Sequence, residues 1–403
     1  MSQVENTAET GASTGAATGA PKPHLSPKAK RRKVWLWVHR WLGIILLIPM
    51  AILGVTGSAQ VWPEETEALL NSQREVAATA DPAAITEEHI ANAREALADY
   101  GPITSIQMGA VGEPIVASTA GYANPPFDIG PPGSMSRQAY IDPDSAEVID
   151  NVDSAGGFMW YMHFIHGLFL IPGIGRQIVG IMGLFLTISA VTGIVVFWPG
   201  VKRVFSALKW QKRDGKMLNI HRQSGFLLSV ILIIEAITGA WISFPGFFAM
   251  LVEPGVEQPE RRRRGGGPQG ELLQADDGAW MVAINSAAQS YDGRLTGVSA
   301  PTAESGTWSV TLSSEGVNAT ASVPLDGGEV SVEEGPAFNG PPPAPTRAIA
   351  VSGWMRQVHY AMIGGIIWEL LVFISGIVMT FLALSGIYIW GKRELFGKKK
   401  RKA

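Results

Sequence analysis

No cysteine occurs among the 403 residues of this chain. Its absence removes disulfide frameworks, iron–sulfur clusters, thiolate-held zinc and covalently attached c-type haem from consideration, so any redox metal must rest on other ligands. Charge is scarce too: Asp, Glu, Lys and Arg make up 17% of the chain against 46% hydrophobic residues, and the mean hydropathy is positive. A soluble domain of ordinary composition is about 25% charged, so the balance points to a protein in contact with membrane lipid. The formal net charge of −3 gives no electrostatic footprint for nucleic acid, which is not expected as a partner.

The few charges are unevenly placed, and they organise the chain. Residues 1–33, rich in Ala, Gly, Thr and Ser, end in the basic run Lys28 to Lys33 and suit a disordered cytoplasmic tail. The apolar run that follows, from Trp35 to Trp62, is long enough to span and too long for a signal-peptide core. Residues 34–62 are therefore the first expected transmembrane helix. Further spans are expected within 159–199, 217–245 and 353–391, with tryptophans such as Trp198 and Trp390 near their ends as interfacial anchors. The basic tail 1–33, the loop 200–216 with Lys202, Arg203, Lys209, Lys212, Arg213 and Lys216, and the tail 392–403 with Lys398 to Lys402 belong on one side. By the positive-inside rule that side is the cytoplasm. The long polar segments 63–158 and 246–352 then face the periplasm of a bacterial inner membrane.

The two parts of the chain repeat. His39-Arg40, Gly43 and Thr56-Gly57 recur at one fixed offset as His221-Arg222, Gly225 and Thr238-Gly239. His166, Gly183 and Gly193 likewise recur as His359, Gly376 and Gly386, with Trp198 and Trp390 close behind. Asp144-Ser-Ala-Glu147 and Asp326-Gly-Gly-Glu329 have the composition of a turn between two strands. The expected architecture is a mainly α integral membrane protein: four transmembrane helices in two tandem pseudo-symmetric halves, related by an axis along the membrane normal.

Topology and repeat together place the histidines. His39 and His221 lie near the cytoplasmic starts of the first and third helices, while His166 and His359 lie on the periplasmic approaches to the second and fourth. A pseudo-two-fold axis brings them face to face as one pair near each membrane surface. Two opposed imidazoles are what a six-coordinate haem needs, and ionisable groups at membrane depth are costly enough to call for a function. A single histidine at a helix end is ordinarily a packing residue; four in register are not. No carboxylate or methionine repeats beside them to complete a zinc or copper shell. His163 shares a helical face with His166 and is either a neighbour of the haem propionates or the ligand in its place. Arg40, Arg222 and Arg176 are candidate propionate partners, or membrane-headgroup and ion-pair anchors. Pro172-Gly173 and Gly364-Gly365 leave two arrangements open: the periplasmic histidines sit on the spanning helices themselves, or on short segments that precede them.

Several stretches resemble the PepSY-associated transmembrane-helix family, whose members include iron-regulated inner-membrane proteins and periplasmic siderophore reductases. They are Trp37-Val-His39-Arg40-Trp-Leu-Gly43, His166-Gly-Leu-Phe with Gly175-Arg176-Gln-Ile-Val-Gly180, His221-Arg-Gln-Ser-Gly225, and Ser385-Gly386-Ile-Tyr-Ile-Trp390. The resemblance covers nearly all of the chain after residue 33. It implies that His39, His166, His221 and His359 ligate two haem b groups, and that each half carries a periplasmic PepSY-like α/β insert. The Pro-rich stretches Pro125 to Pro132 and Pro341 to Pro345 and the run Arg261 to Gly267 look loop-like against that expectation.

The resulting expectation is a di-haem electron carrier, with irons roughly 20 Å apart across a core about 30 Å thick. Its acceptor would be a periplasmic ferric chelate such as a ferric siderophore, making the protein a membrane ferric reductase. No dinucleotide fingerprint is present, so the expected donor is separate, either a cytoplasmic flavoprotein or membrane quinol. The alternative is a haem-free, membrane-anchored PepSY module that binds or regulates a periplasmic protease.

Overall fold

The computed structural model describes residues 26–130, 133–198, 205, 208–210, 215–255, 273, 277–326, 328–335 and 346–392. Lys202, Arg203, Lys212, Arg213, Arg261 to Gly267, Pro341 to Pro345 and Lys398 to Lys402 lie outside the described residues. In chain order, α1 (Pro27–Ile45), α2 (Leu47–Ala59), α3 (Pro63–Leu70) and α4 (Glu87–Leu97) lead into four strands. These are β1 (Ile103–Met108), β2 (Ile115–Thr119), β3 (Arg137–Ile141) and β4 (Val148–Asp153), followed by α5 (Gly157–Leu168) and α6 (Gly175–Phe197). Then come α7 (Lys216–Ser243), α8 (Pro245–Val252), α9 (Asp277–Ser290), β5 (Arg294–Ser299), β6 (Thr307–Ser314), β7 (Val317–Pro324), β8 (Ser331–Glu334), α10 (Arg347–His359) and α11 (Gly365–Gly391).

α6, α7 and α11 are long and apolar enough to cross a membrane. The apolar run that was expected to form one helix over 34–62 is two, bent by 65° at a break between α1 and α2. Pro49 supplies the reason: it has no N–H to give the Ile45 carbonyl, and its ring crowds that oxygen. Ordinary helical bonding resumes with Met50 N–H donating to Leu46 O at 2.8 Å. Taken as one broken span, α1 and α2 make a fourth crossing. Apolar side chains at Ile181, Leu184, Ile188, Val191 and Val195 form an exposed stripe down α6, spaced as one helical face.

The spans close a ring in which α1 packs on α6, α6 on α7, α7 on α11 and α11 on α2. Small residues let the backbones approach: Gly54 of α2 meets Gly376 of α11, and Gly183 of α6 meets Ala236 of α7. Ser58 Oγ donates across to Phe373 O at 2.9 Å, and Thr380 Oγ1 to Ala51 O at 3.3 Å.

The two polar segments do not fold as separate modules. Their strands join one eight-stranded antiparallel sheet in the order β4-β3-β2-β1-β5-β6-β7-β8. The seam is β1 against β5, where Ile106 faces Val298. A bulge interrupts β1 at Thr104 and another interrupts β5 at Thr296, and each threonine Oγ1 donates at 3.1 Å to a carbonyl of the next strand outward, Ser118 and Thr311 respectively. α4 and α9 cover one face, so Ile90 and Leu97 share a single core with Ile106, Trp280, Val298 and Trp308. On the strand side, Arg74 Nε donates to Asp150 at 2.6 Å and Arg137 Nη1 to Asp153 at 2.9 Å, tying β4 to its surroundings.

Candidate functional site

Four helices deliver four histidines to two places. His39 on α1 and His221 on α7 face each other with ring centres 6.5 Å apart and planes at 76°. His166 on α5 and His359 on α10 do the same at 6.1 Å and 42°. The second pair lies on short helices that precede the spans. α5 ends at Phe169, which adopts the left-handed conformation, before Pro172-Gly173 and α6; α10 ends at His359, before Gly364-Gly365 and α11.

Each imidazole is held through Nδ1 by a hydroxyl on a neighbouring span. His39 Nδ1 contacts Thr192 Oγ1 at 3.2 Å and the Ser189 carbonyl at 2.9 Å, both on α6. His221 Nδ1 contacts Ser385 Oγ of α11 at 2.7 Å. His166 Nδ1 contacts Thr56 Oγ1 of α2 at 3.2 Å, and His359 Nδ1 contacts Thr238 Oγ1 of α7 at 3.1 Å. The tautomer follows from what the hydroxyls do with their own protons. Thr192, Thr56, Thr238 and Ser385 donate to Ser189 O, Ile52 O, Ile234 O and Leu382 O at 2.8, 2.8, 2.8 and 3.2 Å. With its proton committed, each hydroxyl can only accept from the ring, so Nδ1 carries the hydrogen and Nε2 keeps its lone pair.

A glycine stands beside every one of these hydroxyls. A Cβ placed on Gly57 would lie 2.9 Å from His166 Cε1, on Gly239 3.0 Å from His359 Cε1, on Gly193 3.2 Å from His39 Cε1, and on Gly386 3.7 Å from His221 Cε1. The four spans therefore share one device, Ser/Thr followed by Gly, which grips an imidazole and leaves it room. Sequence reading found the Thr-Gly repeats and the two later glycines but missed that Thr192 and Ser385 complete the same dipeptide. The signal was in plain view: Thr56-Gly57, Thr192-Gly193, Thr238-Gly239 and Ser385-Gly386.

The spacing fits an axial pair on one iron. Two metal–nitrogen bonds of about 2.0 Å, plus ~1.1 Å from nitrogen to ring centre on each side, put the ring centres about 6.2 Å apart. Among the described residues no group of three or more His, Asp or Glu side chains is clustered for a metal. Two nitrogens per pair are what a macrocycle-bound iron requires and fewer than a tetrahedral zinc site requires.

The other candidates are placed as follows. His163 Nδ1 lies 3.2 Å from Gln60 Oε1, and its ring meets Phe164 edge-on. Gln60 is itself fixed by donating to Thr56 O and Met162 O at 2.9 and 3.1 Å. Arg222 donates to Asn219 Oδ1 and Lys209 O at 2.8 and 3.0 Å and lies over the Phe197 ring, tying α7 to the segment that precedes it. Arg40 is exposed on α1. Arg176, in the first turn of α6, lines a cavity of about 370 Å³ with Gln177, Leu168 and Asp128. Glu369, in the first turns of α11, accepts from the Trp62 indole at 2.8 Å. Glu235 Oε2, on α7, lies 3.3 Å from His359 Nδ1.

The model of the PepSY-associated TM region matches residues 36–393, which include all four histidines and all four Ser/Thr-Gly dipeptides. The chain belongs to this family. It is a membrane protein, with its apolar helix faces in lipid. Both histidine pairs lie within the PepSY-associated region, and so does the sheet, whose strands are inserted between the spans. No curated protein matches the chain.

Proposed function

We propose that this PepSY-associated protein is a transmembrane electron carrier that holds two haem b groups, one between His39 and His221 and one between His166 and His359. The observation behind it is the repeated geometry: two imidazole pairs with ring centres 6.5 and 6.1 Å apart, every ring fixed through Nδ1. Each haem, when bound, supplies a one-electron couple.

The residues present perform the holding. Thr192, Ser385, Thr56 and Thr238 set the tautomer and ring orientation that expose the Nε2 lone pair, and Gly193, Gly386, Gly57 and Gly239 leave each imidazole unobstructed. His39 with His221, and His166 with His359, would each hold one haem between two protein nitrogens, and a haem so held would supply electron transfer with no open position for oxygen. Gly43 faces open space one turn after His39, room that a flat macrocycle can use.

The topology belongs to the same proposal. The chain is two tandem halves, each of two spans, supported by the matched spacing from His39 to Gly57 and His221 to Gly239 and from His166 to Gly193 and His359 to Gly386, the matched bulges at Thr104 and Thr296 and the β1–β5 seam. The basic ends and central loop are cytoplasmic, the eight-stranded sheet is periplasmic, and the membrane is the bacterial inner membrane. An electron enters from a flavoprotein or quinol at the His39–His221 side and leaves from the His166–His359 side to a ferric chelate, whose reduction loosens its iron. His163, Arg40, Arg222 and Arg176 are the candidate partners for the haem propionates.

The test is a dithionite-reduced minus oxidised spectrum with pyridine haemochrome quantitation of the detergent-purified protein. Wild type is expected to carry two b-type haems per chain, and His39→Ala and His359→Ala to lose about one each. A colourless protein from haem-replete cells overturns the proposal and favours the anchored, haem-free module.

A further inference from the structure

One ligand differs from the other three in what its Nδ1 faces. His39, His221 and His166 bond through Nδ1 to hydroxyl or carbonyl oxygens, all of them neutral. At His359 a carboxylate is added: Glu235 Oε2 lies 3.3 Å from Nδ1, beside the Thr238 hydroxyl. At the offset that relates the two Thr-Gly dipeptides, the counterpart of Glu235 is Leu53, so His166 has the Thr56 hydroxyl and an aliphatic side chain where His359 has a hydroxyl and a carboxylate.

Glu235 lies within the 28-residue span α7, where an ionisable side chain is costly, and leucine fills the matching place in α2. Its side chain is 14% exposed, and Oε1 is buried with no hydrogen-bond partner. An acid kept at that cost in an apolar helix, with its other oxygen on the imidazole, acts on the imidazole. Thr238 accepts from Nδ1–H, and a carboxylate oxygen 3.3 Å from the same nitrogen places negative charge beside the ring, which favours the more positive state of a metal bound at Nε2.

Resting on the haem reading above, we propose that Glu235 is a positioning residue that makes the two histidine pairs electronically unequal. Its charge, beside the nitrogen that Thr238 already holds, sets the His166–His359 centre at a lower reduction potential than neutral partners would. In the step concerned, one electron enters the metal from a reductant, and no bond is made or broken. The His39–His221 pair, with neutral partners alone, is unaffected and serves as an internal control.

The experiment is an equilibrium redox titration of the purified full-length protein, followed by visible absorbance with mediators, on wild type, Glu235→Gln and Leu53→Glu. Glu235→Gln keeps a hydrogen-bond acceptor and removes the charge. It is expected to favour reduction of one centre at least tenfold, a rise of about 59 mV for a one-electron couple, while the other wave stays in place. Leu53→Glu puts a second carboxylate at His166 and is expected to move the same wave in the opposite direction. Two haems with unchanged waves in both variants overturn this inference and leave the electron-carrier reading standing, whereas an absence of haem in wild type overturns that reading itself. A fall in melting temperature with fixed potentials assigns Glu235 a structural role and also overturns the inference.

Discussion

Replacing Gly57 by alanine tests the link between the repeated dipeptide and the histidine it cradles. The added methyl would sit 2.9 Å from His166 Cε1. Ordinary carbon–carbon contact begins at about 3.5 Å, so the ring must retreat by roughly 0.6 Å or the helices must part. Thr56 tethers the ring at Nδ1 from the adjacent position, so the retreat swings Nε2 away from the ring opposite. A shift of that size against a metal–nitrogen bond of about 2.0 Å is enough to break ligation, and overpacking of this kind costs about 1–3 kcal/mol. Haem quantitation on the purified variant should therefore fall from two groups per chain to about one, with the helical circular dichroism retained. The same substitution along the series gives an ordering: Gly239→Ala, with 3.0 Å, matches Gly57→Ala; Gly193→Ala, with 3.2 Å, is milder; Gly386→Ala, with 3.7 Å, is tolerated. Loss of haem from Gly386→Ala together with full occupancy in Gly57→Ala would refute the steric argument.

Two further outcomes follow from individual contacts. His163→Ala should keep both haems, because that ring is bonded to Gln60 and stands outside the two facing pairs; loss of one haem here, with His166→Ala retaining two, would transfer the ligand role to His163. In the sheet, burial alone would raise the Asp150 carboxyl, but the Arg74 hydrogen bond and charge and the Asn151 N–H outweigh it and hold it below the usual carboxylate value. A carboxylate depressed in the folded state contributes stability that is complete above its unfolded value of about 3.9 and is lost as pH falls through the folded one. Asp150→Asn should thus cost about 1 kcal/mol of stability or less at pH 7 for a partly exposed pair, seen as a lower melting midpoint, and have little effect below pH ~3, as followed by thermal melts across pH.

What the sequence revealed and what it hid divide along physical lines. Histidines and glycines at fixed offsets were visible because the same local demand, an imidazole against a close backbone, recurs wherever a ring must be held. The Pro49 break was hidden inside a run whose hydropathy is continuous, since proline within an apolar stretch tells of a lost hydrogen bond but not of where the chain turns. The sheet was obscured for a different reason. Its strands are short, with bulges at Thr104 and Thr296, and they alternate with Pro- and Gly-rich stretches that look like loop. Its central contact, β1 with β5, joins residues almost half the chain apart, and no local pattern encodes such a pairing. In the sequence Glu235 is one acid in an apolar run, and its meaning depends on a distance to His359 that only the packed helices supply.

The arrangement of grips also bears on how the sites can form. His39 is held by α6, His166 by α2, His221 by α11 and His359 by α7, so each ring is oriented within its own pair of spans. The rings meet, however, across the contacts between the two parts of the chain, chiefly α6 with α7 and α2 with α11, where Gly183 meets Ala236 and Gly54 meets Gly376. Orientation is thus local and apposition is not. Either pair of spans alone could present correctly turned imidazoles and still bring no two of them to 6 Å. The β1–β5 seam lies between the same two parts of the chain and buries Ile106 opposite Val298 in a shared core. Packing of the sheet and packing of the bundle therefore work toward one result: they join the two parts of the chain, which is the condition both histidine pairs require.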